Sequence, residues 1–142
     1  MIMKIGYTCG VYDLFHVGHL NLFENCKKEC DYLIVGVCDD EYVRNVKNHP
    51  PVISEDDRLR IVSALKCVDE AHIINTEVTI DKILAWKQFK FDKLFVGSDW
   101  KGTERFLKTE EQIKALGLDI EIVFFPYTQG VSTSGIRKQL KD

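Results

Sequence analysis

Residues 3 to 38 read MKIGYTCGVYDLFHVGHLNLFENCKKECDYLIVGVC, and this stretch sets the architecture of the chain. The segment MKIGYTC predicts a buried strand, and YLIVGVC is an almost continuous apolar run, typical of a parallel strand covered on both faces. Between them, HLNLFENCKKEC carries apolar residues at roughly helical spacing. The stretch therefore predicts two parallel strands joined by a right-handed crossover helix.

The remaining chain repeats this alternation. The predicted order is helix SEDDRLRIVSALKCV, strand EAHIIN, helix TIDKILAWKQ, strand KLFVGS, helix TERFLKTEEQIKALG, strand IEIVFFP and helix STSGIRKQLK, with RNVKNHPPVI as a proline-marked loop. Five strands alternating with helices predict an α/β, Rossmann-like, doubly wound sheet of five parallel strands with helices on both faces. We expect a single domain over residues 1–142.

The composition excludes several classes of protein. A net charge of −3 argues against nucleic-acid binding, which needs a basic surplus, but leaves room for a phosphorylated ligand in a local basic pocket. The five cysteines are odd in number and form no CxxC pair, so we expect free thiols in a reducing compartment. No segment has the apolar length of a membrane span or the pattern of a signal peptide, and we predict a cytoplasmic protein without membrane insertion.

Polar motifs follow the predicted strands. GVYDLFHVGH follows the first strand, DDEYVRNVKNHPP the second, SDWKGTE the fourth and YTQGVSTSGIR the fifth. Ligands of open α/β sheets bind outside the carboxyl ends of the strands, so these four segments are expected to meet in one site.

His16 and His19, in HVGH, are the strongest candidates for chemistry. With a helix starting near Val17 or Gly18, both lie on one face of its amino end, beside free N–H groups and the positive end of the dipole. A catalytic zinc would need a third ligand, a histidine-activated nucleophile would need a serine or cysteine on a tight turn, and two structural histidines stay an alternative. The pattern favours a phosphate clamp, with Gly18 admitting a phosphate close to the backbone.

GVSTSGIR, residues 130–137, is an independent motif at the other end of the chain. Three hydroxyl residues at a helix start and Arg137 on the same helix would cradle a polyphosphate, although a serine-threonine cluster is also an ordinary helix cap.

These two motifs resemble the HxGH and ISSTxxR-type signatures of the HxGH nucleotidyltransferase superfamily. GVYDLFHVGHLNL, RLRIVSALKCVDE, VGSDWKG and YTQGVSTS are similar to its cytidylyltransferase branch, and most of all to the small bacterial glycerol-3-phosphate cytidylyltransferases. The resemblance implies transfer of a cytidylyl group from CTP to a phosphorylated alcohol, giving a CDP-alcohol and pyrophosphate. It also implies Mg²⁺ accompanying CTP, no dedicated metal site on the protein, and a homodimer.

The resemblance assigns roles residue by residue. His16, His19 and Lys47 would be catalytic, and Asp13, Lys47 and Arg58 would bind the substrate. The nucleotide would be bound by Val11, Tyr12, Gly18, Asp99, Trp100, Tyr127, Gly130, Val131, Ser132, Thr133, Ser134 and Arg137.

One departure affects the choice of nucleotide. The branch usually reads Arg-Thr-Glu-Gly before its serine-threonine run, whereas this chain has Tyr127, Thr128, Gln129 and Gly130, so a positive charge is missing. An adenylyltransferase of the same superfamily (FAD-synthetase-like or sugar-phosphate) and a non-catalytic nucleotide-binding module are therefore the alternatives.

Overall fold

A computed structural model describes residues 2–141, which form a five-stranded, wholly parallel sheet. Its strands are β1 (Ile5–Gly10), β2 (Tyr32–Cys38), β3 (Glu70–Ile74), β4 (Lys93–Gly97) and β5 (Glu121–Phe125). Their order across the sheet is β3-β2-β1-β4-β5. The chain winds outward from β1 through β2 to β3, then crosses back to build β4 and β5 on the other side. The order therefore reverses between β1 and β4, where such sheets bind ligands.

Seven α-helices connect and flank the strands in the described part of the chain. They are α1 (Val17–Lys28), α2 (Asp40–Lys47), α3 (Glu55–Ser63), α4 (Thr76–Ile80), α5 (Lys82–Phe89), α6 (Glu104–Ala115) and α7 (Thr133–Lys141), with a single 3₁₀ turn at Ser98–Trp100. None of the helices between residues 2 and 141 has the length and apolar character needed to cross a membrane.

Alternate residues of the strands supply two apolar layers. On one face, Leu33 and Val35 of β2 pack with Phe23 of α1 and Val62 of α3. On the other, the core includes Ile34 and Leu94 of the sheet, Ala85 of α5 and Phe106 of α6. Because successive side chains of a strand point to opposite faces, an apolar run such as YLIVGVC can exist only where helices cover both. The predicted doubly wound α/β sheet with helices on both faces is confirmed.

The segment after β2 differs from the prediction, which placed Lys47 in a loop. Residues Asp40–Lys47 form α2, because Asp39 caps the helix by accepting from the Tyr42 N–H at 2.8 Å. Tyr42 and Val43 are buried against Cys38 and Ile74, and this packing stabilises a short helix. The prolines that follow it in the sequence led to the prediction of a loop. Lys47 is its last residue, and Asn48 ends it with a left-handed backbone, φ +60°.

Two other helices end earlier than the sequence pattern indicates. The predicted helix TIDKILAWKQ is interrupted at Asp81, which ends α4 and begins α5. The Asp81 carboxylate accepts from the Ile83 and Leu84 N–H groups, and this local bonding competes with a continuous helix. Helix α3 ends at Ser63 rather than continuing to Val68, since the Ala64 N–H bonds back to Ile61 and Val62.

Candidate active site

A cavity of about 600 Å³ opens at the carboxyl end of the sheet, around the point where the strand order reverses. β1 and β4 pair only at Gly6 with Lys93 and at Tyr7 with Leu94. Beyond these pairs the Thr8 hydroxyl, instead of a backbone group, donates to the Phe95 carbonyl at 3.0 Å. The two strands thus separate toward their carboxyl ends, and the volume between them is of the size that holds a small ligand.

Two histidines form the wall of this cavity at the start of α1. His16 is the N-cap of α1, and its Nδ1 accepts from the Gly18 N–H at 3.0 Å. His19, three residues on, accepts from the His16 N–H through its own Nδ1 at 3.2 Å. The rings stack with centroids 3.9 Å apart. The spacing HxGH is therefore a reciprocal helix cap in which imidazoles replace the usual hydroxyl and carboxylate.

These contacts fix which ring nitrogen carries the proton. A backbone N–H can only donate, so Nδ1 of each neutral imidazole is unprotonated and Nε2 bears the hydrogen. No protein group within residues 2–141 accepts from either Nε2. Both rings line the cavity, so each offers a free N–H donor there, beside the uncompensated N–H groups of the helix start.

The environment keeps both rings neutral near pH 7. Burial lowers the pKa of His16. Burial, together with the neighbouring His16, lowers the pKa of His19 to about 4, against a smaller opposing effect of Asp13. The rings consequently act as neutral hydrogen-bond donors and not as protonated general acids.

This pKa makes the fold sensitive to acid. Unfolded His19 binds a proton near pH 6.5 and folded His19 only near pH 4, so its stabilising contribution is complete above 6.5 and is lost as the pH falls toward 4. We expect a loss of about 2 kcal/mol in unfolding free energy from this residue, after allowance for solvent at a partly exposed ring. Urea denaturation at pH 7, 5.5 and 4.5 measures it. A His19→Asn variant should show a shallower decline, and an equal decline would contradict the assignment.

The position of the His16 ring requires a glycine at residue 18. A Cβ at this position would lie 2.8 Å from Cε1 and 2.9 Å from Nδ1 of His16. The absent side chain thus lets the His16 ring lie over the helix start. We predicted that Gly18 makes room for a phosphate, and the structure adds this intramolecular reason.

The two motifs that are distant in sequence meet here. The Thr133 hydroxyl, at the start of α7, donates to the Asp13 carbonyl at 2.8 Å, and Val131 lies against Gly18. Ser132 caps α7, with its Oγ accepting from the Gly135 N–H at 3.0 Å. The amino ends of α1 and α7 therefore line one cavity, which gives it two helix dipoles favourable to an anion.

Basic side chains approach the cavity from several elements. Lys47 at the end of α2, His49 just beyond it and Arg137 of α7 all line it. The ion pairs found among residues 2–141 include none of these three side chains. The cavity is therefore electropositive although the chain as a whole is acidic.

Lys82 is a site residue that sequence reasoning missed. It lines the cavity from α5 and is only 6% exposed, with Nζ 2.5 Å from the Thr79 carbonyl and 3.1 Å from the Cys9 sulfur. The pattern of its helix gave no sign of burial. A buried ammonium without a carboxylate partner is unfavourable until an anion approaches, so Lys82 favours an anionic ligand. Arg105 of α6 also lines the cavity and was not predicted; its guanidinium lies over Trp100.

Tyr127 occupies the place of the missing arginine and bridges two loops. Its hydroxyl donates to Asp99 at 2.8 Å, connecting the segment after β5 with the segment after β4. Partial burial, followed by this bond, raises the pKa of Tyr127 to about 12. Gly97 has no Cβ, and one there would lie 2.5 Å from the tyrosine oxygen.

Most predicted residues converge on this cavity. Its lining includes Val11, Tyr12, Asp13, His16, Gly18, His19, Lys47, Trp100, Tyr127, Val131, Ser132, Thr133, Ser134 and Arg137. Asp99 reaches it only through Tyr127, and Gly130, φ +83°, forms the turn that precedes α7. The cavity thus assembles residues from all four segments that follow strands.

The structure contradicts the role predicted for Arg58. We predicted a substrate contact, but the side chain is fully buried outside the cavity, 1% exposed. Its guanidinium donates to the carbonyls of Val11 and Cys38, at the ends of β1 and β2, and its Nη2 pairs with Asp40 at 2.5 Å. Its Nε also donates to the Ile53 carbonyl, so all three guanidinium nitrogens are bonded to protein oxygens. Arg58 therefore holds the strand ends in place and acts through them.

The structure also contradicts the role predicted for Asp13. It was predicted to bind substrate, yet it is 3% exposed and both carboxylate oxygens are engaged. They accept from the Val52 and Ile53 N–H groups at 2.8 and 2.9 Å, which anchors the loop between α2 and α3 to the cavity wall. Its carboxylate positions that loop instead of meeting a ligand.

A divalent cation has no cage of protein ligands here. No group of three or more histidine, cysteine, aspartate or glutamate side chains within residues 2–141 is arranged to hold a metal ion. The lining includes the basic side chains of Lys47, Lys82 and Arg137, which suit phosphate oxygens.

The sheet is Rossmann-like, and its reversal point is lined by two helix starts, a pair of imidazole donors and several basic side chains. This arrangement is typical of proteins that bind the phosphates of nucleotides. The family model described as cytidylyltransferase-like matches residues 7–139, and the chain belongs to this family of nucleotidyltransferases.

Individual relatives give the same class and differ in substrate. The chain is 34% identical over 140 residues to a glycerol-3-phosphate cytidylyltransferase of Bacillus spizizenii W23, covering 97% of this chain and 98% of that one. It is also 34% identical over 119 residues to an FAD synthase of Pyrococcus abyssi, covering 83% and 77%. Among solved structures, the lipopolysaccharide core biosynthesis protein of Thermoplasma volcanium superposes with a TM-score of 0.74 at 30% identity, covering 89% and 98%.

Proposed function

We propose that this protein transfers the cytidylyl group of CTP to a small phosphorylated alcohol, of the glycerol-3-phosphate type. The observation that carries the proposal is the pair of Nε2–H donors fixed by the reciprocal cap of His16 and His19. The same cavity is lined by the basic residues Lys47, Lys82 and Arg137, and none of these three takes part in an ion pair within residues 2–141. This excess of positive charge supports the entry of more than one anionic group.

The reaction that fits is a direct displacement at phosphorus. An oxygen of the acceptor phosphate forms a bond to the α-phosphorus, the bond from that phosphorus to the bridging oxygen of the β-phosphate breaks, and pyrophosphate leaves. Charge develops on the oxygens of the α-phosphate, where two preorganised N–H donors stabilise it more than they stabilise the ground state. No protein nucleophile is needed, so the histidines act by position and by hydrogen bonding.

Lys82 supports an acceptor that is itself anionic. A buried ammonium whose nearest partners are a carbonyl and a thiol gains a counter-charge when a phosphorylated alcohol binds. The whole-length similarity to a glycerol-3-phosphate cytidylyltransferase supports the same class of acceptor.

Transfer of an adenylyl group is the second candidate. The similarity to an archaeal FAD synthase favours it, and so does Tyr127, which removes the arginine typical of the cytidylyl branch. The match to FAD synthase covers less of this chain than the match to the cytidylyltransferase, which favours CTP.

The test is a matrix of reactions. The protein is incubated with Mg²⁺ and each of CTP, ATP, GTP and UTP, against glycerol-3-phosphate, phosphocholine, phosphoethanolamine, a sugar phosphate and FMN, and pyrophosphate release is measured. We expect the highest rate with CTP and a phosphorylated alcohol. A His16→Asn variant serves as the negative control for pyrophosphate release. Release with ATP alone would replace the cytidylyl assignment by the adenylyl one, and release with no pair would leave a nucleotide-binding module.

A further inference from the structure

The ring of Tyr127 is held in one orientation by two contacts and yet is largely uncovered. Its hydroxyl donates to the Asp99 carboxylate at 2.8 Å. The phenol end lies over Gly97, where a Cβ would be 2.5 Å from the hydroxyl oxygen and 2.8 Å from Cζ. Tyr127 is nevertheless 58% exposed. The structure therefore presents a fixed aromatic surface that no protein group covers fully.

Tyr127 belongs to the walls of two adjoining hollows. One is the cavity that contains the histidines, and the other is a groove of about 350 Å³ between α1 and the segment after β5. Asn21, Asn25 and residues 126–128 line both. Asn21 donates from Nδ2 to the Thr128 hydroxyl at 3.1 Å, which joins the two sides of the groove. A ligand in the cavity can therefore extend along α1 and past Tyr127 into the groove.

The groove lies where the nucleoside part of a nucleotide would extend. In the proposed reaction, the Nε2–H donors of His16 and His19 place the α-phosphate at the start of α1. Asn21 and Asn25 follow His19 by two and six residues, which is about 3 and 9 Å along the helix axis. A ribose and base attached to that phosphate and directed along α1 would therefore reach the groove.

The charge of the groove differs from that of the cavity. Its charged lining consists of Glu24 and Lys28, one acid and one base, whereas the cavity has an excess of basic side chains. This balance favours an uncharged group over a further phosphate. The amides of Asn21 and Asn25 each offer both donors and an acceptor, which match the polar edge of a nucleobase.

We propose that the Tyr127 ring stacks on the nucleobase of the bound nucleotide, so that this position contributes affinity through the base and not through the phosphates. This inference rests on the proposed function and deepens it. An arginine at this position would supply charge for a phosphate, whereas tyrosine supplies a flat apolar face. The bond to Asp99 and the contact with Gly97 orient the ring before the ligand arrives, so little side-chain entropy is lost on binding.

The experiment is titration calorimetry of wild type, Tyr127→Leu and Tyr127→Phe with CTP, CMP, AMP and inorganic tripolyphosphate. Tyr127→Leu should weaken the binding of CTP and CMP by about 10-fold, in line with the loss of one base–aromatic stack, and change tripolyphosphate binding by less than about twofold. Tyr127→Phe keeps the ring and loses only the hydroxyl, so its binding of CTP and CMP should weaken by no more than about threefold.

Proton NMR of bound CMP gives a readout that a purely structural role would not change. The H5 and H6 protons of the cytosine should shift upfield through the ring current in wild type and in Tyr127→Phe, and this shift should vanish in Tyr127→Leu. Absence of an upfield shift in wild type, with CMP and with AMP alike, would overturn the inference even if a variant failed to fold. Equal weakening of CMP and tripolyphosphate in Tyr127→Leu would also overturn it, because the side chain would then act only by joining two loops.

Tyr32 is the matched control. Its hydroxyl also donates to a carboxylate, that of Glu70 at 2.9 Å, but the residue lies outside both hollows. Tyr32→Leu should leave every ligand affinity and the CMP shift unchanged. If AMP shows the upfield shift and CMP does not, the nucleotide of the proposed function changes and the stack on Tyr127 stands. If CMP stacks on Tyr127 but no acceptor yields pyrophosphate, the proposed reaction fails and the base site stands.

Discussion

Replacing His16 or His19 by asparagine should lower kcat by at least about 100-fold and leave the protein folded. Asparagine is a good helix-capping residue, and its Oδ1 can accept the backbone N–H that Nδ1 accepts in each histidine. What it lacks is the Nε2–H donor that the proposed mechanism directs at the α-phosphate. The measurement is steady-state turnover with the best nucleotide and acceptor, together with urea denaturation of each variant.

The glutamine variants complete this test. Glutamine places an amide N–H near the Nε2 position but cannot reproduce the short cap, so His16→Gln should lose about 1 kcal/mol of stability and keep more activity than His16→Asn. The opposite ranking, with full activity in asparagine variants, would show that the imidazoles matter only as caps. That result would return them to the structural alternative considered from sequence.

The second large effect concerns stability. Arg58→Met should lower the free energy of unfolding by about 3–5 kcal/mol, because it leaves Asp40 and buried carbonyls of Val11, Cys38 and Ile53 without their donor. Methionine keeps much of the aliphatic volume, so the loss reports the guanidinium and not a cavity. Urea denaturation monitored by circular dichroism measures it.

Arg60 supplies the matched control on the same helix. It is exposed, and Arg60→Ala should change stability by no more than about 0.5 kcal/mol. An Arg58→Met protein with wild-type stability and a raised KM for the acceptor alone would restore the substrate-binding role that the structure contradicts.

The sequence predicted the sheet because its signal is periodic and local. YLIVGVC and similar runs can only be strands buried on both faces, and the motif after each one meets its neighbours because parallel strands share one carboxyl edge. The predicted helix TIDKILAWKQ and the predicted loop around Lys47 were wrong where a single side chain, Asp81 or Asp39, altered the backbone hydrogen bonding. Such hydrogen bonds hardly change the spacing of apolar residues, so a prediction from that spacing misses them.

The sequence did not predict the direction in which the basic side chains point. Arg58 and Lys82 are both basic residues near helix starts, yet one is directed at the carbonyls of strand ends and the other into the cavity. That difference depends on which strands become neighbours, and periodicity carries no such information. His49 is similar, because its contact with Arg137 joins positions 88 residues apart.

By itself, then, the sequence determined the order of elements, the two polar motifs HVGH and GVSTSGIR and the edge of the sheet at which they lie, because each depends on spacing along the chain. The tertiary structure alone decided which polar side chains are free for a ligand. That outcome depends on competition among donors and acceptors from distant segments: Arg58 and Asp13 are occupied by backbone groups, whereas His16, His19, Lys47 and Lys82 retain donors or charge without a carboxylate partner.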